Sequence, residues 1–359
     1  MDSLEHWGRD RLLSTFTDAL EEISAAVGVV EREPHGRGQA ADAIVDVEIG
    51  DRRLRLVIEV KRTAYPRDVR EAAYQLGRYL SEAQFGQAIV PVLIAESIST
   101  GGREILRREG IGYFDTGGSL FLKAPGVFVL IDKPVGKTAE KALATVFTGR
   151  RSQALQAVWA MEGRAFGVNE IAKRAHVSAA TASETLTALD RYDWVSSLGS
   201  GPSKSRRLVN PRGLLDAWSE HQRTAKTPPV RRYFVPGADV ASLIGRLDEA
   251  CRAERSRYAI TGEAAAQVYA PYLSNVSQLV CRMPAGPQAA AVLERLGARA
   301  VREGWNLGVI ETDGGFVFAE AIEGACFSSP LQTYLDLLQG AGRARELADH
   351  LRAQRLERP

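Results

Sequence analysis

Cysteine is scarce in this 359-residue chain: Cys251, Cys281 and Cys326 are the whole supply. They are odd in number, far apart and form no CxxC pair, so neither a disulfide framework nor a thiolate zinc site is expected. Histidine is thin as well, with five residues and no cluster. No apolar run approaches the roughly 20 residues that span a bilayer. The opening MDSLEHWGRD lacks the basic-then-apolar pattern of a secretory signal. The expectation is a cytoplasmic protein with reduced thiols and no membrane partner. Repeats and low-complexity tracts are also missing, which excludes solenoid and fibrous classes.

What is present fits a packed globular chain: 45% hydrophobic and 25% charged residues. The length suggests two or three domains, each able to bury a core. The net charge of +2 hides an uneven distribution. Residues 1–149 carry 19 basic and 22 acidic groups, 150–226 carry 12 and 7, and 227–359 carry 15 and 15. The positive charge sits in the middle segment, where a phosphate backbone would be met. The polar stretch RTAKTPPVRR, with Pro228-Pro229, reads as a stiff linker after it.

The first segment reads α-β-β-β-α-β and then more, with a helix from about Trp7 to Val27 ahead of a hairpin. ADAIVDVEI and LRLVIEVK make that hairpin around Gly50-Asp51. In the second strand Leu54, Leu56, Ile58 and Val60 share one face, while Val57, Glu59 and Lys61 share the other. Glu59 and Lys61 therefore project together, about 7 Å apart along the strand. The polar side of the preceding strand carries Asp42, Asp46 and Glu48. Clustered carboxylates suit a hard divalent cation. The following helix starts at Pro66 and has Val69, Ala73, Leu76 and Leu80 as its apolar stripe, with Gln75 and Tyr79 four apart at its edge. AIVPVLIA is a buried strand, GGREILRREG a short helix, and IGYFDTGGSLFL and VFVLID are further strands. Asp115 in the YFDTGG turn reads as a turn former, with a site role as the rival reading.

These residues resemble the PD-(D/E)xK nuclease superfamily: Ala41-Asp42, then Glu59-Val60-Lys61, then the Gln75-Leu76-Gly77-Arg78-Tyr79 pattern of RecB-like members. The resemblance covers about the first 130 residues. Ala41 stands where the family often has proline, which leaves Asp42 and Asp46 as rival first acids, Asp42 being the one at the motif position. The resemblance implies Mg²⁺ or Mn²⁺ held by Asp42, Glu59 and the Val60 carbonyl, Lys61 as the catalytic cation, and Gln75 and Tyr79 as positioning groups.

In the middle segment SQALQAVWAM is a helix, VNEIAKRA a second and AATASETLTALDR a third, the last capped by Ser178. The strand, Gly-rich loop and basic strand of DWVSSLGSGPSKSRRLV follow. This order resembles winged helix-turn-helix domains. It implies a reading surface that includes Ser178, Thr181 and Ser183, and electrostatic affinity from Lys173, Arg174, Lys204, Arg206 and Arg207. The reading helix lacks the Arg, Asn or Gln that make bidentate base contacts. In the C-terminal third, Thr261-Gly262 with Ala265-Ala266 and the segment SPLQTYLDLL resemble AbiEi-type antitoxins, whose C-terminal domain is related to nucleotidyltransferases. Tyr334 and Asp336 of that segment read as helix-face residues, and no Gly-Ser with paired aspartates is found.

The expected fold is multidomain α/β (α+β): a restriction-endonuclease-like mixed sheet over 1–140, a winged helix-turn-helix over 150–222 and a nucleotidyltransferase-like α+β domain over 231–359. The expected partners are double-stranded DNA and, through the antitoxin resemblance, a cognate toxin protein or a second copy of the chain. Two functions compete: a Mg²⁺-dependent nuclease directed by the winged helix, and a non-enzymatic regulator with an inactive nuclease-like domain.

Overall fold

The computed structural model describes residues 2–23, 25–32, 41–82, 88–134, 143–201, 204–314, 316, 318–340 and 342–357. The chain is mixed α/β and divides into two compact units, Met1–Leu143 with Thr187–Asp193, and Ala144–Leu186 with Trp194–Pro359. Among the described residues no helix is long and apolar enough to cross a membrane.

The first unit is built on a seven-stranded sheet whose strands lie side by side in chain order. They are β1 (Ala25–Arg32), β2 (Ala43–Ile49), β3 (Arg52–Ala64), β4 (Ala88–Ile98), β5 (Gly112–Asp115), β6 (Leu120–Ala124) and β7 (Val127–Ile131). The three central strands are parallel and both flanks antiparallel. Helices α2 (Pro66–Glu82) and α3 (Thr100–Glu109) make the two parallel crossovers. The period-two split of β3 decides the layering. Leu54, Leu56, Ile58 and Val60 join the core under α1 (Asp2–Glu22), which contributes Leu12, Phe16 and Leu20. Val57 joins the opposite core with Val69, Ala72 and Leu76 of α2 and Leu106 of α3.

One expectation needs correction here. The first helix ends at Glu22, and the stretch expected to finish it, from Ala25, is strand β1. Its sequence AAVGVVER is rich in β-branched valine, and pairing with β2 decides the outcome. Gly28 makes that pairing close: a Cβ there would lie 3.2 Å from the Asp46 carbonyl oxygen.

The second unit begins with the helix Gly149–Ala160. The helices Val168–Ala175 and Ala179–Arg191, the latter as far as Leu186, and a small antiparallel sheet of β8 (Ala165–Phe166), β10 (Ser205–Leu208) and β9 (Val195–Leu198) come next, before the helix Pro211–Thr224. His176, at φ 52°, turns the chain between the second and third helices. A seven-stranded mixed sheet occupies the remainder, in the order β14 (Arg299–Ala300), β11 (Val230–Phe234), β15 (Leu307–Glu311), β13 (Leu279–Met283), β12 (Ala259–Thr261), β17 (Ala325–Phe327) and β16 (Glu320–Ile322). Three side-chain bonds tie the early helices to the late ones. Gln156 donates to Gln332 at 2.7 Å, Ser219 and Tyr334 share a hydrogen bond of 2.8 Å, and Arg352 pairs with Asp216 at 2.5 Å.

Candidate functional site

The hairpin register sets the site. Asp46 lies opposite Arg55 and grips it through two bonds of 2.7 Å. Asp42 lies one residue ahead of β2, at the mouth of the hairpin, where its charge acts on Glu59. The backbone N–H of Asp42 donates to the Ile58 carbonyl at 2.9 Å, and the Val60 N–H donates to Asp42 Oδ2 at 2.7 Å. In an antiparallel ladder a residue turns its N–H and C=O to the same neighbour. The Val60 carbonyl therefore points to the Asp42 side, beyond the first residue of β2. Of the two rival acids, Asp42 is the one beside Glu59.

Lys61 shares the Glu59 face. Its ammonium lies 2.9 Å from Glu59 Oε1 and donates to Gln75 Oε1 on α2 at 3.3 Å. Tyr79, one turn further along α2, is buried in the apolar core, where the charges of Glu31 and Arg55 act on it. The structure thus gathers Asp42, Glu59, Val60, Lys61 and Gln75. Burial raises the Tyr79 hydroxyl above the ordinary tyrosine range. Burial also raises the Glu59 carboxyl above its usual range, and the Asp42 charge adds to the shift, while Lys61 and Arg9 oppose it. A cation approaching both carboxylates would relieve the repulsion that Asp42 imposes on Glu59. One cation is already there: Arg9 of α1 stands 3.0 Å from Asp42 Oδ1. Sequence reasoning missed Arg9 because nothing local links it to a strand 33 residues away.

Among the described residues no three or more His, Cys, Asp and Glu side chains gather as a metal group. The donors at the hairpin mouth are two carboxylates and a main-chain carbonyl. That set fits Mg²⁺, which keeps several waters and takes one or two protein carboxylates. Asp115 is elsewhere and structural: it is buried and accepts from Arg103 at 2.7 Å, fixing α3 to the β5–β6 turn.

In the second unit Ser178 caps its helix by accepting from Thr181 N–H at 3.1 Å, and its hydroxyl meets that of Thr181 at 2.9 Å. Both side chains are therefore partly engaged in the cap. Ser183 is half-buried, Lys173 and Arg174 are exposed, and Arg174 has Glu170 at 3.5 Å. Lys204 is half-buried and Arg207 exposed. Arg206 differs from expectation: it is only 6% exposed. It sits on the central strand β10, opposite Phe166 and Ser197, and the alternation that turns Arg207 outward turns Arg206 inward with Leu208.

Further on, the segments around Thr261 and Asp336 meet at one acid. Asp336 accepts from Thr261 Oγ1 at 2.5 Å, from Gln332 at 2.8 Å and from Arg282 through two bonds of 2.8 and 2.5 Å. Arg282 was not singled out by sequence reading. No family model, curated protein or solved structure matches the chain.

Proposed function

We propose that the chain is a DNA-binding protein whose first unit is a PD-(D/E)xK-like domain hydrolysing phosphodiester bonds with Mg²⁺ or Mn²⁺. In this reading the segment 150–222 is a winged helix-turn-helix that brings duplex DNA to it. One observation carries the reading: Asp42 bonds the Val60 N–H and its charge acts on Glu59, while Lys61 is held by Glu59 and Gln75. Asp42, Glu59 and the Val60 carbonyl would hold the metal, which when bound polarises the phosphate and lowers the pKa of a coordinated water. Lys61 would meet the charge that grows on the phosphate oxygens. Gln75 fixes its ammonium at one end, so little reorganisation is needed when that charge develops. Lys173, Arg174, Lys204 and Arg207 would contact backbone phosphates, which sets affinity without reading sequence.

The second reading is a non-enzymatic, AbiEi-like regulator acting with a toxin partner. It is favoured by the occupancy of Asp42, one oxygen of which is taken by Arg9 and the other by the Val60 N–H. One assay separates the two. Plasmid, linear duplex and single-stranded DNA are incubated with Mg²⁺ or Mn²⁺, with Lys61→Ala beside the unaltered chain. The nuclease reading expects Lys61→Ala to keep DNA affinity and lose roughly 100-fold or more in cleavage, the scale of one preorganised electrostatic contact. Absence of cleavage by the unaltered chain favours the regulator.

A further inference from the structure

The large sheet of the second unit ends in β14, with β11 beside it and β15 next. Residues directly opposite in an antiparallel pair share a face. Arg232 lies opposite Gly308, and Phe234 opposite Arg299. Arg232 and Phe234 are two apart on β11, so all four positions fall on one face of the sheet. Arg232, Phe234 and Arg299 are exposed there, Phe234 to 41%. A phenylalanine ring is most often inside; this one stands in water among arginines.

The side chains beneath hold the surface in shape. A Cβ on Gly308 would lie 3.1 Å from the Trp305 ring, so the bare glycine lets the indole settle close on the sheet. The Arg232 guanidinium stands over that ring, 5.7 Å from its centre, and donates to the Arg302 carbonyl at 3.3 Å. Indole and carbonyl together present the guanidinium as a fixed flat cation. Asn306 pins the loop that carries Trp305: it accepts from the Val235 N–H at 2.8 Å and donates to the carbonyls of Val235 and Ala238 at 2.9 and 3.3 Å.

The charge on this face is uncompensated. Among the described residues, Arg232, Arg299 and Arg302 have no carboxylate within ion-pair distance. Arg231, turned to the opposite face by the strand alternation, is paired with Glu311 at 3.0 Å. Glu303, in the loop beside Arg302, is the nearest acid in the chain and is exposed. The arginines suit an anion, but an exposed ring beside a held guanidinium suits a flat apolar surface. Unpaired bases on a phosphate backbone supply both, and they stack on aromatic rings and on guanidinium planes alike. A duplex keeps its base faces in its own stack. An acidic peptide would use the arginines and leave the ring idle. The amide that could read a sugar hydroxyl, Asn306, is spent on the backbone, so nothing here favours ribose.

We infer that this face of β11 and β14 binds single-stranded DNA, with one base on Phe234, a neighbouring base on the Arg232 guanidinium, and phosphates on Arg299 and Arg302. The inference stands independently of the nuclease reading.

The test is fluorescence anisotropy of a labelled oligothymidylate of about 15 nucleotides, near the upper site size of a single-strand-binding module. The full chain is titrated in metal-free buffer with a chelator, so that cleavage does not intervene. Saturable binding is expected. Phe234→Ala, at an exposed position, should weaken it about fivefold or more, the scale of one stacked base. Arg299→Ser with Arg302→Ser should lower the log–log salt slope by about 1.4, or 0.7 for each phosphate contact. Arg231→Ser, on the opposite face, should leave binding unchanged, and an oligouridylate RNA of equal length should bind no more tightly than the DNA. Thermal scans establish that each variant folds. Four results would overturn the inference: no saturable binding, undiminished binding in either folded variant of this face, polyglutamate competing as well as unlabelled oligothymidylate, or tighter binding of the RNA.

Discussion

Each unit holds a largely covered acid beside a guanidinium, and the two are resolved differently. Asp336 receives four donated bonds from Arg282, Thr261 and Gln332, and its side chain is 6% exposed. At the hairpin mouth Asp42 pairs with Arg9 and Glu59 with Lys61, and each cation is itself partly exposed, at 45% and 25%. The first acid is saturated by groups that cannot leave without unfolding. The second pair is neutralised by groups at the edge of water, which can be exchanged. Burial and charge partners occur in both places, so neither alone marks a site. What separates them is whether the partners are fixed.

The largest expected effect breaks the saturated acid. Asp336→Ala leaves Arg282 buried without its counter-charge, and a loss of about 3–5 kcal/mol is expected. Urea unfolding of the full chain measures it. Replacing both partners together, Arg282→Met with Asp336→Leu, should cost much less; a single variant that unfolds like the parent would show the network to be slack.

Next is Glu59→Gln. The folded carboxyl holds its proton to higher pH than the unfolded one. Between those two values the folded state binds more protons, so stability of the metal-free chain falls as pH rises through the window. Glu59→Gln should remove that slope and leave the metal-free protein more stable at neutral pH. It should also weaken Mn²⁺ binding by more than about 10-fold, the lower end of what losing an outer hydrogen-bond partner costs. A steeper slope in the variant would contradict the assignment.

Adjacent arginines on β10 sharpen the same contrast. Arg206→Ala should lower the melting temperature, because its stem fills buried space beside Phe166. Arg207→Ala should leave the melting temperature alone and, in the proposed DNA reading, reduce the log–log salt slope of duplex binding by about 0.9. Filter binding across a salt series and a thermal scan tell the two apart.

The smallest effect is expected at Arg9. If it competes with a metal for Asp42 Oδ1, Arg9→Ala should tighten Mn²⁺ binding a few-fold by calorimetry. Weaker binding would mean that Arg9 supports the site instead of blocking it.

Much of the first unit was legible in the sequence because its signals are local. The alternation along β3 placed Glu59 and Lys61 on one face, and the stripe of α2 placed Gln75 beside it. The choice between Asp42 and Asp46 was open in the sequence because both share a face; the hairpin register separates them by giving Arg55 to Asp46. The helix reading through Val27 failed where a strand partner outweighed local continuity. Arg206 was misread because a four-residue strand gives too few alternations to fix its phase. Arg9, Arg282 and Gln156 had no local signal at all: their partners lie 33, 54 and 176 residues away.

The bonds Gln156–Gln332, Ser219–Tyr334 and Asp216–Arg352 have a consequence for heredity. A gene rearrangement cutting near Pro228-Pro229 would leave half of each bond on either product, with buried Gln332 Oε1 losing the Gln156 amide and buried Tyr334 losing the Ser219 hydroxyl. The two sides of that cut can therefore be shuffled between genes only as a block. A recombination product that kept either side alone would need compensating substitutions at all three junctions.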